Sequence, residues 1–353
     1  MNEILNKNTC YNFFLDEENL DKLTLERFLK TSEIFEPNDY YGQASILKNY
    51  LGLPMRYSLK ATFEHGVEFN DNFIWSAELE ANLPTCIVLD ERRLNLYKEK
   101  GNKLVFPIGF GFIYAIDLFK KLYGPLYTNK NKMGTIVFPA HSTHHIRASF
   151  DFKGYAEYLE KLDERFKPIV ICIYWKDYLS GHQVEFQKKG FKIITAGHMF
   201  DNLFMLRMVN ICSQFKYANS NQIGTHVPIS IKSGCLFFLT EEFIVNHENN
   251  SEVPISNIPD SFMKKYLPLF NEKNILNYEL QLSFADEYLG TKFKKSRFSL
   301  YLIFIISEIF DKLRVDFKNK GLNILPPFWR PNRIIPFNLR KLIKFFKMKF
   351  FGY

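Results

Sequence analysis

The sequence predicts an α/β protein made of two units of alternating strands and helices, followed by a helical C-terminal extension. Three observations predict this fold. Short apolar runs alternate with helical stretches, the turn-rich segment Gly124–Gly134 separates two such series, and polar residues stand where the strands end. The chain has 353 residues, 46% of them hydrophobic and 24% charged. This composition is enough for a large core and excludes a disordered protein.

The first unit contains three candidate strands. They are Tyr57–Phe63, Thr85–Leu89 and Leu104–Ile108. A charged helix around Glu91–Lys100 joins the second to the third, and Gly101-Asn102 forms the turn after it. Strands that alternate with helices in this way predict a parallel sheet with helices on its faces.

The same pattern restarts after Gly134 with five candidate strands. They are Thr135–Phe138, Ile169–Tyr174, Lys192–Thr195, Lys216–Ala218 and Cys235–Leu239. Helices are predicted between them around Phe152–Phe166, Gly181–Lys189, Leu203–Cys212 and Thr225–Lys232. Five strands with four crossovers predict a Rossmann-like sheet. No Gly-x-Gly-x-x-Gly motif follows the first strand, which disfavours an ordinary NAD-binding domain.

The remaining residues complete a four-part division of the chain. The polar composition of residues 245–260 predicts a surface loop. Ser261–Phe317 is predicted to be helical. We therefore divide the chain into an N-terminal unit, a second unit, a helical segment and a tail, at residues 1–125, 133–245, 246–317 and 318–353.

The positive charge of the chain is concentrated in that tail. The net charge is +8, and the last 36 residues carry nine basic and no acidic side chains, so the rest is close to neutral. A nucleic-acid-binding protein would more often carry its basic residues across the folded body, so no nucleic-acid partner is expected. Leu339, Leu342, Ile343 and Phe346 follow helical spacing, with basic residues mostly opposite them. Such a helix suits an anionic membrane surface, or else docks on the protein itself.

The sequence also bears on location and on metals. No apolar run reaches the roughly 20 residues of a membrane-spanning helix, and the N-terminus lacks a signal-peptide pattern, so a cytoplasmic protein is expected. Five cysteines without a Cys-x-x-Cys pair predict neither disulfides nor structural zinc. His141, His144 and His145 are close together but lack the Glu of His-Glu-x-x-His, so no metal is expected.

Six of the eight histidines stand at predicted strand ends, where open parallel sheets bind ligands. They are His65, His141, His144, His145, His198 and His226. In the first unit, Glu64-His65-Gly66 ends a strand, and Glu64 or His65 is well placed to take a proton from an acceptor hydroxyl. The alternative is a turn whose polar residues only cap a helix.

Two segments of the second unit are candidate phosphate cradles. Strand ends that gather hydroxyls, imidazoles and backbone amides suit a phosphate or a nucleotide. The first candidate comprises His141, Ser142, Thr143 and His144. The second precedes a helix and comprises Ser220, Asn221, Gly224, Thr225 and His226. The alternative for the second is an ordinary N-cap by Ser220 or Thr225.

These motifs, in this order, resemble GT-B glycosyltransferases of bacterial capsule, O-antigen or lipooligosaccharide synthesis. The resemblance spans residues 57–240 and includes Tyr174-Trp175-Lys176-Asp177 and Thr195-Ala196-Gly197-His198. Among these enzymes, the CMP-sialic acid and CMP-Kdo transferases have the motifs that these segments resemble most. The resemblance implies two Rossmann-like domains that face a cleft, with Glu64 as the base and His65 beside it. It also implies that His141, Ser220 and Thr225 contact the donor phosphate, and that His198 lies at the donor site.

The resemblance further implies a sugar transfer that needs no metal and no cofactor. The partners would be a nucleotide-sugar donor, with CMP favoured, a glycan or lipid-linked glycan acceptor, and the inner-membrane surface through the tail. Two departures stand out, because His65 replaces an acidic residue and Ser142 replaces the proline after His141. An epimerase, a CDP-glycerol-type phosphotransferase and a non-catalytic binding module of a polysaccharide cluster remain alternatives.

Overall fold

The first unit of the computed structural model is built around a three-stranded parallel sheet in the order β1–β2–β3. The structure describes residues 20–101, 103–126, 132–143, 146–243, 245–249, 257–272 and 277–319. The elements up to residue 123 are α1 (Leu20–Thr24), a 3₁₀ segment (Glu36–Gly42), α2 (Gln43–Leu51), β1 (Thr62–Phe63), α3 (Ser76–Glu80), β2 (Thr85–Val88), α4 (Glu91–Lys100), β3 (Leu104–Pro107) and α5 (Gly111–Tyr123).

The second unit contains a five-stranded parallel sheet in the order β7–β6–β4–β8–β9. Its elements are β4 (Thr135–Val137), β5 (Ile146–Ser149), α6 (Phe152–Glu160), a 3₁₀ turn (Glu164–Phe166), β6 (Ile169–Cys172), α7 (Trp175–Leu179), α8 (Val184–Lys188), β7 (Lys192–Ile194), α9 (Phe204–Gln214), β8 (Tyr217–Ser220), α10 (His226–Lys232) and β9 (Leu236–Leu239). This strand order confirms the Rossmann-like sheet and, with the first sheet, the predicted α/β fold class.

A helical segment follows the second unit. It comprises β10 (Asn246–Asn249), α11 (Asp260–Tyr266), a 3₁₀ turn (Leu267–Phe270), α12 (Tyr278–Tyr288), a second 3₁₀ turn (Thr291–Phe293) and α13 (Arg297–Asn319). The described residues include no helix that is both long and apolar enough to span a membrane. Of the predicted tail, residues 320–353 lie outside the described part of the chain, as do residues 127–131 of the predicted linker.

Local signals in the sequence account for the helix limits that match prediction. Helix α4 covers the predicted range because Asp90 accepts a hydrogen bond from the Arg93 backbone N–H at its start. Its last turn carries Lys98 and Lys100, which interact favourably with the helix dipole. Cys86 and Cys172 are buried and free, as their apolar surroundings predict.

Three of the differences between predicted and observed elements have a clear physical reason. Strand β1 has two residues instead of seven, because Leu59 and Phe63 donate their backbone N–H groups to the side chains of Glu33 and Asn38. The helix predicted at Gly181–Lys189 begins only at Val184, because Gly181 has a φ of +81° and turns the chain. The loop predicted at 245–260 contains β10, whose exposed polar residues pair antiparallel with β5.

One apolar core joins the two sheets. Helix α5 of the first unit packs against both α2 and α9, so side chains of the two units share a single buried cluster. The helical segment forms hydrogen bonds with both units. The Gln281 side chain bonds both the N–H and the carbonyl of Phe237 on β9, and Arg297 donates to the Leu51 carbonyl at the end of α2.

Candidate functional site

The carboxyl ends of both sheets open onto one cleft with two adjoining cavities. The inner cavity, of about 280 Å³, is mainly apolar and lies against the ends of β4, β6 and β7 at Pro139, Ile173 and Ala196. The outer cavity, of about 560 Å³, is more polar. The two cavities share six lining residues: Tyr41, His65, His141, Thr143, Tyr174 and His226. Four of these six residues are candidate site residues from the sequence, and the other two are Tyr41 and Tyr174.

His65 stands at the centre of the first unit's side of this cleft. Its ring stacks on Trp75 with 5.0 Å between ring centres and 14° between planes, and Tyr40 meets it edge-on at 5.4 Å. Burial lowers the pKa of His65 to about 4, so its imidazole is neutral at pH 7. A neutral imidazole has a free lone pair that can accept a proton, and a pKa of about 4 makes it a weaker base than an ordinary histidine.

Glu64 is held differently from its neighbour. It is 2% exposed, its Oε1 pairs with Arg93, and its Oε2 accepts a hydrogen bond of 3.1 Å from the Leu89 backbone N–H. Burial raises the pKa of this carboxyl group to about 7, against the opposing effect of Arg93. Glu64 lines the outer cavity, but both of its oxygens are already bonded to Arg93 and Leu89, so it holds the loop after β1 in place.

A second buried carboxyl group supports the same loop. Glu78 accepts hydrogen bonds from the His65 backbone N–H and from the Tyr97 hydroxyl group. Burial, and then the charge of Glu64, raise the pKa of Glu78 to about 8. Arg93 donates further to the Phe73 carbonyl at 2.8 Å. The loop that carries His65 is therefore held by a buried network of charged and hydrogen-bonded groups.

His141 and Thr143, two residues of the first candidate phosphate cradle, line both cavities from the second unit. The His141 ring packs on Tyr174 with 4.6 Å between centres, and its Nδ1 lies 3.0 Å from the Ser142 carbonyl. Thr143 Oγ1 accepts a hydrogen bond from the Ile146 N–H. His144, the fourth member of this predicted cradle, lies outside the described residues, as does His145.

Ser142 does not line either cavity, in contrast to its predicted role. Its N–H donates to both carboxylate oxygens of Asp177, and its Oγ accepts a hydrogen bond from the Ala148 N–H. The side chain is buried, and these bonds satisfy backbone N–H groups of Ser142 and Ala148. Ser142 shapes the loop that presents His141 and Thr143.

Ser220 and Asn221 likewise lie behind the cleft rather than in it. Ser220 Oγ accepts from the Gln222 N–H, and Asn221 Oδ1 accepts from the Ala140 N–H at 2.8 Å. Asn221 thereby ties the loop after β8 to the loop after β4. The predicted contact of both side chains with a donor is replaced by hydrogen bonds to backbone groups that strand ends leave unpaired.

Thr225 joins the two units across the cleft. Its Oγ1 accepts a hydrogen bond of 3.1 Å from the Val67 N–H, next to Gly66, and gives no capping bond to its own helix α10. Thr225 is thus the N-cap residue of α10 by position, but its side chain makes no capping hydrogen bond. A Cβ at Gly66 would lie 3.3 Å from this Oγ1, and Gly66 has a φ of +74°, so a residue without a side chain suits this contact.

His226 and Gly224 complete the second unit's side. Gly224 lines the outer cavity, and His226 lines both cavities while its ring packs on Phe138. Within the described part of the chain, His226 Nε2 is buried and has no hydrogen-bond partner. Burial, and then His141, lower the pKa of His226 to about 3, so this imidazole is also neutral at pH 7.

His198 does not reach the cleft, in contrast to its predicted role. It is fully buried, with its ring 3.8 Å from the Trp175 ring centre and its Nδ1 accepting from the Phe200 N–H at 3.1 Å. Its neighbours Ala196 and Gly197 line the inner cavity instead. The strand end was predicted correctly, but the chain turns at Gly197, with a φ of +99°, and carries the imidazole inward.

The sequence prediction missed the aromatic residues of the cleft. Tyr41 has a φ of +56°, which is rare for a bulky residue, and its N–H donates to the Met199 carbonyl of the second unit. Its hydroxyl lies 3.4 Å from that of Tyr174. Gly42 follows at a φ of +73°, where a Cβ would meet the Asn202 backbone oxygen at 2.6 Å. The doublet Tyr40-Tyr41 before a glycine was the available signal.

Positive charge is scarce on the cleft walls. Of the described residues that line the two cavities, Arg93 alone is a lysine or arginine, and its guanidinium bonds Glu64 and two backbone carbonyls. The described residues contain no group of three or more side chains that could hold a metal ion. The side chains on offer for a ligand are histidines, hydroxyl groups, carboxyl groups and aromatic rings.

The chain matches no protein-family model and no curated protein sequence. Among solved structures, it is similar to a mutant of S. aureus TarM in complex with fondaparinux, alpha-GlcNAc-glycerol and UDP. The identity is 14% and the TM-score 0.32, over 75% of this chain and 53% of that one. The chain thus spans about half the length of this protein, and a similarity this weak supports no inference about activity.

Proposed function

We propose that the protein is a glycosyltransferase that moves a sugar from a nucleotide donor to a hydroxyl group of a bacterial surface glycan. The observation that carries the proposal is the meeting of two strand-end surfaces. His65 from the first sheet and His141, Thr225 and His226 from the second line one cleft. A cleft between two such sheets suits a reaction in which one unit binds the donor and the other presents the acceptor.

We assign the base to His65. In the proposed reaction, the acceptor oxygen bonds the anomeric carbon while the bond from that carbon to the donor phosphate oxygen breaks. The acceptor proton passes to the neutral His65 imidazole, and the nucleotide leaves with the electron pair. Glu64 positions the loop, since its two oxygens are already bonded to Arg93 and Leu89.

We place the donor nucleotide against the second unit, beside His141 and the segment Gly224–His226. Support for a CMP-linked sugar comes from the motif resemblance and from charge. A CMP-sugar carries one phosphate, and the described cavity walls offer histidines and hydroxyl groups with no free lysine or arginine. A diphosphate would call for more compensating charge.

Nucleotide binding is the first test. Thermal unfolding with CMP, CDP, UDP, GDP and ADP, with and without magnesium, should show a magnesium-independent shift with CMP, because a ligand that binds the native state stabilises it. A shift with UDP or GDP instead would discard the CMP donor, and CDP would favour a CDP-glycerol-type phosphotransferase. No shift with any nucleotide would favour the binding module.

Turnover tests the base. His65→Asn should lower turnover by about 10²–10⁴-fold, the range for loss of a general base. Glu64→Gln keeps a side chain of the same shape and should lower turnover less. His182→Asn is a matched control, because His182 lines neither cavity and its ring packs on Phe152. Equal turnover of His65→Asn and wild type would remove His65 from the reaction.

We also propose that the basic tail contacts an anionic membrane from the cytoplasmic side. Nearly all of this tail lies outside the described residues, but α13 leads toward it and, near its end, exposes Leu313 and Val315 beside the exposed Lys312. Exposed apolar and basic groups together suit a lipid interface. The full chain should sediment with phosphatidylglycerol vesicles but not with phosphatidylcholine vesicles. Replacing Lys341, Lys344 and Lys347 with glutamate should abolish this, whereas unchanged sedimentation would contradict it.

A further inference from the structure

The outer cavity has an aromatic wall made of Tyr40, Phe73 and Trp75. All three side chains are partly exposed, and none of them belongs to a buried apolar cluster of the described residues. Large aromatic rings usually contribute most when they are buried in a core. Rings that remain at a cavity surface provide apolar contact area for a ligand.

The aromatic wall is fixed by polar bonds to its backbone. Arg93 donates to the carbonyls of Asn70 and Phe73, and Lys100 donates to the carbonyl of Asn72. The Trp75 carbonyl accepts from the Glu78 N–H at the start of α3. The wall is thus held in place by the same buried network that holds His65, so a ligand does not have to order it on binding.

Polar groups surround the aromatic wall without adding a free cation. The described residues of the outer cavity include Glu68, Gln222, His247 and Asn257, whose oxygens and nitrogens suit hydroxyl groups. Arg93 is the one lysine or arginine among them, and its donors already serve Glu64, Asn70 and Phe73. An anionic ligand group would therefore meet carboxyl groups rather than an available guanidinium or ammonium.

We propose that the outer cavity is the acceptor subsite and that it takes the uncharged pyranose end of a glycan, an inference that rests on the proposed function. The C–H face of a pyranose is apolar and packs on an aromatic ring, while its hydroxyl groups bond the polar rim. Trp75 and Tyr40 each lie within 5.4 Å of the His65 ring, centre to centre. A sugar on this wall has a hydroxyl group within reach of the proposed base.

Saturation-transfer NMR on the full chain tests the subsite without a nucleotide. The neutral probes are lactose, maltose and N,N′-diacetylchitobiose, and the anionic probe is digalacturonic acid, whose two rings both carry a carboxylate. We expect signal from protons on one pyranose face of a neutral probe, and at least tenfold weaker binding of digalacturonic acid. Equal binding of the anionic probe, or binding of no neutral probe, would overturn the proposal.

Variants locate the bound sugar. Trp75→Ala should weaken binding of the neutral probe by about tenfold, consistent with loss of one stacking ring. Trp75→Tyr keeps a ring and should restore most of it, which separates stacking from misfolding. Phe298→Ala removes an aromatic ring that is 68% exposed on α13 and should leave binding unchanged. Equal binding by all three variants would place the sugar elsewhere.

The outcome is separable from that of the proposed function. If CMP or UDP binds but no neutral glycan does, the transferase proposal stands and the acceptor inference fails. If a neutral glycan binds in a Trp75-dependent manner but no nucleotide does, the subsite stands and the transferase proposal fails.

Discussion

The loop after β1 and the loops after β4 and β8 meet at one cleft, yet different groups hold them. In the first unit, buried Glu64, Glu78 and Arg93 fix the position of His65 through charge-assisted contacts. In the second, Ser142 and Asn221 fix their loops through hydrogen bonds to backbone groups. A buried ion pair depends on both partners, because the loss of one leaves an uncompensated charge. Several neutral hydrogen bonds each contribute a smaller, more separable amount.

The largest expected effect on stability is in the first unit, where Glu64, Glu78 and Arg93 hold the loop of His65. Arg93→Met should destabilise the protein by about 3–5 kcal/mol, because it leaves Glu64 buried without its partner. The free energy of unfolding in urea measures this. Arg92→Met is the matched control: its guanidinium is partly exposed and pairs with Asp71 and Asp90, so it should cost about 1 kcal/mol or less. Similar losses for both variants would mean that the charged network is not what stabilises this loop.

The next largest effect concerns the hydrogen bond between Val67 and Thr225, which joins the two units. Thr225→Val keeps the shape but leaves the Val67 N–H, which is buried, without its acceptor, at a cost of about 1–3 kcal/mol. Thr225→Ser keeps the oxygen and should cost less. Urea unfolding compares the two. If valine and serine are equally tolerated, the hydrogen bond between the units contributes nothing measurable.

The pH dependence of stability should have opposite signs for Glu78 in the first unit and His226 in the second. Glu78 has a folded pKa of about 8, above its ordinary 4.5, so its contribution is full below pH 4.5 and is lost as pH rises through about 8. His226 has a folded pKa of about 3, below its ordinary 6.5, so its contribution is present above pH 6.5 and is lost as pH falls through about 3.

Two variants measure these opposite slopes. Glu78→Gln should reduce the loss of stability between pH 5 and pH 8, and His226→Gln should reduce the loss between pH 6 and pH 4, each by an amount on the order of 1–2 kcal/mol. Urea unfolding across the pH range gives both slopes. Parallel curves for wild type and variant would show that the residue does not titrate differently in the folded state.

The smallest effect is expected in the second unit, where the buried Asp177 carboxylate holds the Ser142 loop. Asp177→Asn keeps one of the two oxygens that accept from the Ser142 N–H, so it should cost about 1 kcal/mol. Thermal unfolding is sufficient to detect it. A loss as large as that of Arg93→Met would show that the second unit also depends on a charge.

The sequence was most informative where local pattern and burial coincide. The five strands of the second sheet and helix α4 were predicted near their observed places, because apolar runs, turns and capping residues are local signals. The same reasoning missed β10, because its exposed polar residues carry no apolar signal, and β5, because a strand of four residues is too short to show a period. It also overextended β1, whose backbone bonds go to side chains of residues 33 and 38.

For the site, the sequence by itself determined which chemistry stands at the strand ends: imidazoles, hydroxyl groups and carboxyl groups after β1, β4, β7 and β8. Only the tertiary structure decided which of these face the cleft. His65, His141 and His226 face it, whereas His198, Ser142 and Ser220 turn inward. The physical reason is that buried strand ends leave unpaired backbone groups, and the nearest polar side chains satisfy them before any ligand does.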